Sequence, residues 1–375
     1  MPETILLLHS SAGRYGADRL VLSLASGLDR DRFTPVAVLP ERGELAALLE
    51  DAGVETVVAD LAVLRRAELG PRAVWRMARG GDRELEALAR SRGAALVHSN
   101  TSVILSGQRL ADRLGVPHVL HVRELYPRAP VAWPLWRRRL LRADRIVCMS
   151  RAIAEQFAGS PKAVVIYDGL PRAAARGNRE RARAELGVDP GSFVVALLGR
   201  ISDWKGQDVL ARALADPVLA DRPVVGLIAG SPWPGAERPQ HKLERLQAEL
   251  GLADRLRLVG FRDDIDTLFA AADAVAVPST RPEPFGLVAL EAAAAGLPVA
   301  AAAHGGLPEI IRQEETGLLV EPGSPQALAA ALRRLADDPD GAAAMGAAAA
   351  ADVTARFRAE ATVAAVEALY EELLR

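Results

Sequence analysis

The chain has 375 residues, 50% of them hydrophobic, 25% charged and 4% aromatic, with a formal net charge of −2. At roughly 100–200 residues per domain, this length fits two domains with separate cores, and the composition excludes a disordered tail, a collagen and a small disulfide scaffold. The near-neutral total argues against a nucleic-acid partner, which needs a dominant basic surface, and the single cysteine, Cys148, excludes an internal disulfide.

Ile5–Leu8 reads as a short strand, followed by a small-residue loop from His9 to Gly16 and a helix over Ala17–Leu28. Further strands are expected at Pro35–Leu39, Val54–Val58, Leu96–Val97, His118–Val122, Ile146–Met149 and Val164–Ile166, with helices such as Gly43–Ala52 and Arg83–Arg92 between them. Strand-helix alternation implies right-handed crossovers and a parallel sheet covered on both faces. Asp168-Gly169-Leu170-Pro171 breaks the pattern, and the small, basic stretch from Ala173 to Arg183 reads as a linker and the entry to a second unit. A new alternation runs through Phe193–Leu198, Val224–Ala229, Arg257–Val259, Ala274–Val277, Pro298–Ala301 and Gly317–Val320. The alanine-rich 341–351 stretch has the makeup of a packed helix, and Ala359–Leu374 is a final amphipathic one. The nearest approach to a spanning segment, Ala289–Ala303, carries Glu291 and Pro298 and falls short of the ~18 apolar residues required. Met1-Pro2-Glu3-Thr4 lacks the basic start of a signal peptide. A soluble, unprocessed, cytoplasmic protein is the expectation.

Charge is unevenly spread: residues 1–180 hold 27 Lys+Arg against 20 Asp+Glu, the remainder 19 against 28. A solvated arginine-rich surface explains the basic half. The alternative is a weak peripheral membrane contact, for which Trp133 and Trp136 beside Arg137, Arg138, Arg139 and Arg142 are the candidates. Only Lys162, Lys205 and Lys242 are lysines, so each marks a position where a compact point charge is kept.

Lys205 lies in the leading chemical constellation. Leu198-Gly199-Arg200 ends a strand, and Arg200 and Lys205, five apart in the following loop, can converge on a diphosphate. Next, Pro282 and Pro284 stiffen the run Pro278-Ser279-Thr280-Arg281-Pro282-Glu283-Pro284-Phe285-Gly286-Leu287. Phe285-Gly286 opens a helix whose free amides and dipole suit an anion. Glu283 precedes that helix start and Glu291 is expected two turns into it. A carboxylate in so apolar a run needs a partner or a ligand. His304-Gly305-Gly306-Leu307-Pro308-Glu309 follows the next strand, either bringing backbone close to a ligand or making a plain turn. In the first half, Gly13 to Arg19 is a strand-to-helix loop with neither Gly-x-Gly-x-x-Gly nor Gly-Lys-Ser, which excludes dinucleotide-fingerprint and P-loop readings; Gly16 can still present amides to phosphate. His121, before Arg123-Glu124, is expected at the ligand-binding edge of the sheet. His98 and His118 have no metal-type spacing with it, and Asp264-Ile265-Asp266 is better explained as a helix cap, so no metal is expected.

Taken together, these residues resemble the family of retaining glycosyltransferases with the GT-B fold, which includes sucrose synthase and bacterial mannosyltransferases. Gly-Arg-x5-Gly at 199–206 is similar to its diphosphate loop, Glu283 and Glu291 to its Glu-x7-Glu motif, and Gly305 to Glu309 to the glycine-rich segment after it. The resemblance implies an α/β architecture of two doubly wound Rossmann-like domains facing each other across a cleft. Residues 1–171 would form the acceptor-side domain, 172–356 the nucleotide-sugar domain, and 357–375 a helix returning to the first. It further implies a nucleotide-sugar donor and a hydroxyl acceptor (glycan, lipid-linked or small-molecule), with retention by a same-face mechanism and without metal or other cofactor. Arg200 and Lys205 would hold the diphosphate beside Gly199, Glu291 the ribose and Glu283 the donor sugar. The amides of Phe285, Gly286 and Leu287 would touch sugar and phosphate, Gly16 would close over the phosphates, and His121 would stand beside the reacting sugar. Two departures from the family pattern are Tyr15-Gly16 in place of paired glycines and Asp168-Gly169 in place of Asn-Gly. A phosphorylase or epimerase of the same fold, or a catalytically silent nucleotide-sugar-binding subunit, are the alternatives.

Overall fold

The computed structural model describes residues 1–64, 82–126, 132–170 and 176–375. The chain forms two compact units, one of Met1–Pro171 with Phe357–Arg375 and one of Arg172–Arg356.

In the first unit, β1 (Glu3–Leu8), β2 (Phe33–Leu39), β3 (Glu55–Val58), β4 (Ala94–Ser99), β5 (His118–Val122), β6 (Arg145–Cys148) and β7 (Ala163–Val165) make one parallel sheet. Its order is β3-β2-β1-β4-β5-β6-β7, so the winding reverses between β1 and β4. Such a reversal opens a crevice at the carboxyl ends of the two strands, where ligands of open α/β sheets sit. The central strand shows why the sequence folds this way. Ile5, Leu6, Leu7 and Leu8 are all fully buried; Ile5 and Leu7 join one core with Val21 and Leu24, and Leu6 and Leu8 join the opposite core with Leu85 and Leu110. A continuous apolar run at period two thus feeds both faces, as a strand sandwiched between helices must.

The helix Ala359–Leu374 completes the first of these cores with Val363, Val366, Leu369 and Tyr370. Its start is anchored where Leu170 N donates to Phe357 O (3.0 Å). Gly169 is required there, because a Cβ would lie 2.4 Å from the backbone of Ala359.

The second unit repeats the plan with β8 (Phe193–Leu198), β9 (Val224–Ala229), β10 (Leu256–Gly260), β11 (Ala274–Val277), β12 (Val299–Ala302) and β13 (Gly317–Val320). All are parallel in the order β10-β9-β8-β11-β12-β13, placing the reversal between β8 and β11.

The basic stretch read as linker and entry to the second unit runs into a helix of that unit, Arg179–Glu185, capped by Asn178, whose side chain accepts from Arg181 N. Its Arg183 is buried, pairing with Asp273 (2.6 Å) and donating to the carbonyls of Ala271, Pro190 and Ser192. Composition reads such arginines as solvated, but Asp273, ninety positions on, holds this one inside. Residues 171–175 of that stretch lie outside the described ones.

Candidate functional site

The loops that leave β8 and β11 meet at the reversal of the second sheet. Gly206 ends the first loop at φ +77, and a Cβ on it would lie 2.0 Å from Pro278 O in the second. Thr280 N donates to Trp204 O (2.8 Å), tying the same two loops. This contact brings Lys205 to Glu283: Nζ donates to Oε1 at 2.7 Å, and Ser279 Oγ donates to that same oxygen at 2.6 Å. Glu283 is 4% exposed, so its carboxylate depends on these partners.

The glycine-rich segment after β12 holds Glu283 from the other side. Gly306 N donates to Glu283 O (2.8 Å). Gly305 adopts φ +63, with a hypothetical Cβ only 2.2 Å from Glu283 O. His304 Nε2 bonds to Ser279 O (2.8 Å). Of the two readings of this segment, the structure shows the turn, with Pro308 in the first turn of the helix Leu307–Ile310 and the glycines packed on the backbone of the Glu283 loop.

Gly286, at φ +112, immediately precedes the helix Leu287–Ala294. Its first-turn amides have no intrahelical acceptor, and the dipole is positive at this end. Phe285 buries its ring beside them. Glu291 lies one turn into the helix, four residues past Leu287, rather than two, and is 5% exposed. On the β9 side, the Arg200 guanidinium lies 3.3 Å from the centroid of the Trp233 ring, while Lys205 Nζ lies 4.4 Å from that of Trp204. Gly199, Arg200, Lys205, Glu283, Phe285, Gly286, Leu287 and Glu291 are therefore all on loops or a helix start at the carboxyl edge of one sheet.

The first unit holds the other two expected residues in a different setting. Gly16 opens the helix Gly16–Gly27, whose first turn carries its own carboxylate. Asp18 accepts from Tyr15 N (2.8 Å), Ser11 Oγ (2.5 Å) and His9 Nε2 (2.8 Å). Burial pushes the Asp18 carboxyl up, but these hydrogen bonds outweigh it and hold it below the usual range. His121 is the last residue but one of β5, near the carboxyl edge of the first sheet. It is 1% exposed and stacked on His98 with ring centroids 5.8 Å apart. Burial, then the charge of Arg123, drives it well below the usual imidazole value, so it is neutral.

The group standing just past the end of β5 is Arg123. It pairs with Asp168 Oδ2, and donates to Asn100 O and Asn100 Oδ1 (both 3.1 Å). Asn100 Nδ2 in turn meets His9 Nδ1 at 2.9 Å. A buried polar chain thus runs from Asp18 through His9, Asn100 and Arg123 to Asp168, with His121 Nε2 4.0 Å from the Asp168 carboxylate. Beside it, Glu124 accepts from Ser102 Oγ and from Arg123 N (3.0 Å), and burial pushes its carboxyl up despite those bonds. Arg123, Asp168, Ser279 and Trp233 carry geometry that sequence reasoning missed. The signal for Arg123 was its place directly after a strand.

Asp264 takes the N-cap position of the helix Ile265–Ala271, but its carboxylate receives Arg262 Nε (2.8 Å) and makes no cap bond to that helix. Among the described residues no group of three or more His, Cys, Asp or Glu side chains is arranged to hold a metal ion. In the helix Ala132–Leu140, the Trp133 ring stacks on Tyr126 (5.7 Å) and abuts Phe157 (6.2 Å). Arg137 and Arg139 donate there to the carbonyls of Gln156 and Leu105. No helix among the described residues is long and apolar enough to cross a membrane.

Comparison with known proteins follows the same division. The family described as "Glycosyl transferases group 1" matches residues 178–352, and "Glycosyltransferase Family 4" matches residues 15–173. A D-inositol 3-phosphate glycosyltransferase of Salinispora tropica is 39% identical over 277 residues, 65% of this chain and 57% of that protein. One from Segniliparus rotundus is 34% identical over 304 residues, covering 75% of this chain and 67% of its own. The chain spans about three-fifths of the length of the first of these relatives. Among solved structures, Anabaena Alr3699/HepE in complex with UDP and glucose superposes with a TM-score of 0.85 at 27% identity, covering 98% of this chain and 99% of that one.

Proposed function

The chain belongs to the Glycosyl transferases group 1 family, of GT-B fold, and from that premise we propose that it moves a sugar from a UDP-linked donor to a hydroxyl acceptor with retention of configuration. The observation that carries this reading is the meeting of Lys205 with Glu283, in the loops that leave β8 and β11 beside the Leu287–Ala294 helix start, where the winding of the second sheet reverses. UDP is chosen because the Anabaena neighbour holds UDP and glucose.

In this reading Arg200, Lys205 and the helix amides face the donor diphosphate, Glu291 takes ribose hydroxyls and Glu283 takes sugar hydroxyls. The bond between the sugar anomeric carbon and the β-phosphate oxygen breaks, and negative charge grows on the departing UDP. Fixed cations and amides stabilise that charge at no reorganisation cost. The acceptor oxygen bonds to the anomeric carbon on the face UDP leaves, and its proton passes to a β-phosphate oxygen. The acceptor is assigned to the loops of the first unit, and Gly16 to the phosphates. His121, being neutral and enclosed, supports the Arg123–Asp168 pair in this reading instead of touching the sugar. No metal is needed, since two cations and a helix start supply the charge a metal would, and Asp264 is already engaged by Arg262.

Incubation with UDP-glucose and a panel of hydroxyl acceptors, followed by proton NMR of the product, tests the proposal. A glycoside with the donor's anomeric configuration is expected, and an inverted product removes the same-face mechanism. Turnover only with inorganic phosphate, or UDP release without transfer, would favour the phosphorylase and epimerase alternatives. Neither transfer nor donor hydrolysis would favour a silent subunit.

A further inference from the structure

Both cations of the candidate diphosphate site are stacked on indoles, and the Arg200 partner is the unusual one. Trp233 is 60% exposed, a costly state for so large a ring, yet it lies between Pro232 and Pro234, which restrict its backbone. Its loop is knitted to that of Arg200. Gly199 N donates to Ala229 O (2.9 Å) and Ile201 N to Ser231 O (3.2 Å). A Cβ on Gly230 would lie 1.9 Å from Gly199 O, so the two backbones are as close as they can be. The result is a guanidinium carbon lying over the ring, 3.3 Å from its centroid.

The geometry points to Trp233 as a positioning residue for Arg200: its ring holds the guanidinium over one face and so fixes where its N–H groups meet a diphosphate. This inference rests on the donor reading above. Arginine loses much rotamer freedom when it grips a phosphate. A stacked ring removes part of that freedom in advance, and its π-face is attracted to the cation by about as much as a surface cation–π pair. Lys205, which lies over Trp204, is also held by its bond to Glu283.

The test uses the full chain, with UDP and inorganic pyrophosphate as probes in calorimetric titrations. Trp233→Ala should weaken both about tenfold, Trp233→Phe should recover most of the affinity, and Trp233→Leu should not. In an Arg200→Gln background, Trp233→Ala should change UDP affinity by less than about twofold, because the group it positions is gone. Three results would overturn the inference: UDP affinity unmoved by Trp233→Ala, UDP weakened with pyrophosphate untouched (a ring that serves the nucleobase), or the full loss persisting without Arg200. If the unaltered chain binds neither probe, the donor reading itself fails. If it binds both and ignores Trp233, only the positioning role does.

Discussion

Lys205 Nζ and Glu283 Oε1 are 2.7 Å apart, although 78 positions separate them in the chain. Under the proposed function the pair has two distinct jobs, one electrostatic and one structural, and variants separate them. Lys205→Ala should slow transfer from UDP-glucose about 10²-fold. It also leaves a buried carboxylate short of its cation, which should cost about 1–3 kcal/mol in denaturant unfolding. Adding Glu283→Gln should restore much of that stability and none of the rate. A Lys205→Ala enzyme with unchanged turnover removes the clamp from the mechanism.

Chelation gives an independent check. With charge stabilisation assigned to side chains and amides, excess EDTA should leave the initial rate within about twofold. Activity lost to EDTA and restored by magnesium or manganese would show that a metal shares the role given to Arg200 and Lys205.

Gly305 should be intolerant of any side chain. At φ +63, alanine costs about 1–2 kcal/mol in backbone strain alone. The methyl group would also strike Glu283 O, displacing the carboxylate's own backbone. Gly251, at φ +64 with nothing within 4 Å of a Cβ, is the matched control. Gly305→Ala should lower both melting temperature and turnover, whereas Gly251→Ala should lower only the former, and by less. Equal turnover in the two variants would separate Gly305 from the site.

Acid should weaken the fold through its enclosed imidazoles. Burial lowers His98 from 6.5 to about 3, and His118 from 6.5 to about 4. Both are neutral when folded at pH 5, yet protonated once unfolded. Their contribution is therefore intact above pH 6.5 and declines as pH falls from there toward 3–4. Melting temperature should drop between pH 7 and pH 5, with a shallower slope in His118→Gln. The same slope in that variant would show that His118 titrates alike in both states.

Much of the fold was legible because burial on two faces leaves a plain signature. Phe193–Leu198, Val224–Ala229, Ala274–Val277 and Gly317–Val320 coincide with the observed strands, each being an apolar run between turn residues. The position of Glu283, Arg200 and Lys205 on loops was equally legible, since prolines and glycines mark those places, while Glu291 lies one turn nearer its helix start than expected. What stayed hidden was pairing at long range. His98 Nδ1 meets the Tyr370 hydroxyl at 2.5 Å across 272 positions, and Arg123 meets Asp168 across 45. A periodic pattern tells which face a side chain occupies but not which side chain waits there. His121 illustrates the limit: its place near a strand end put it at the ligand-binding edge of the sheet, and only the packing of His98 and Asp168 around it reveals that its ring is buried and neutral.

The return of Ala359–Leu374 to the first unit has a consequence for biosynthesis. During translation, residues 1–171 leave the ribosome without Val363, Val366 and Tyr370, so the face formed by Phe33, Val21 and Leu24 stays uncovered while another two hundred or so residues are made. The second unit, contiguous from Arg172 to Arg356, has all its strands as soon as Val320 emerges. The unit that begins first is thus the last to be sealed, and its open apolar face is what a nascent-chain chaperone would find to hold.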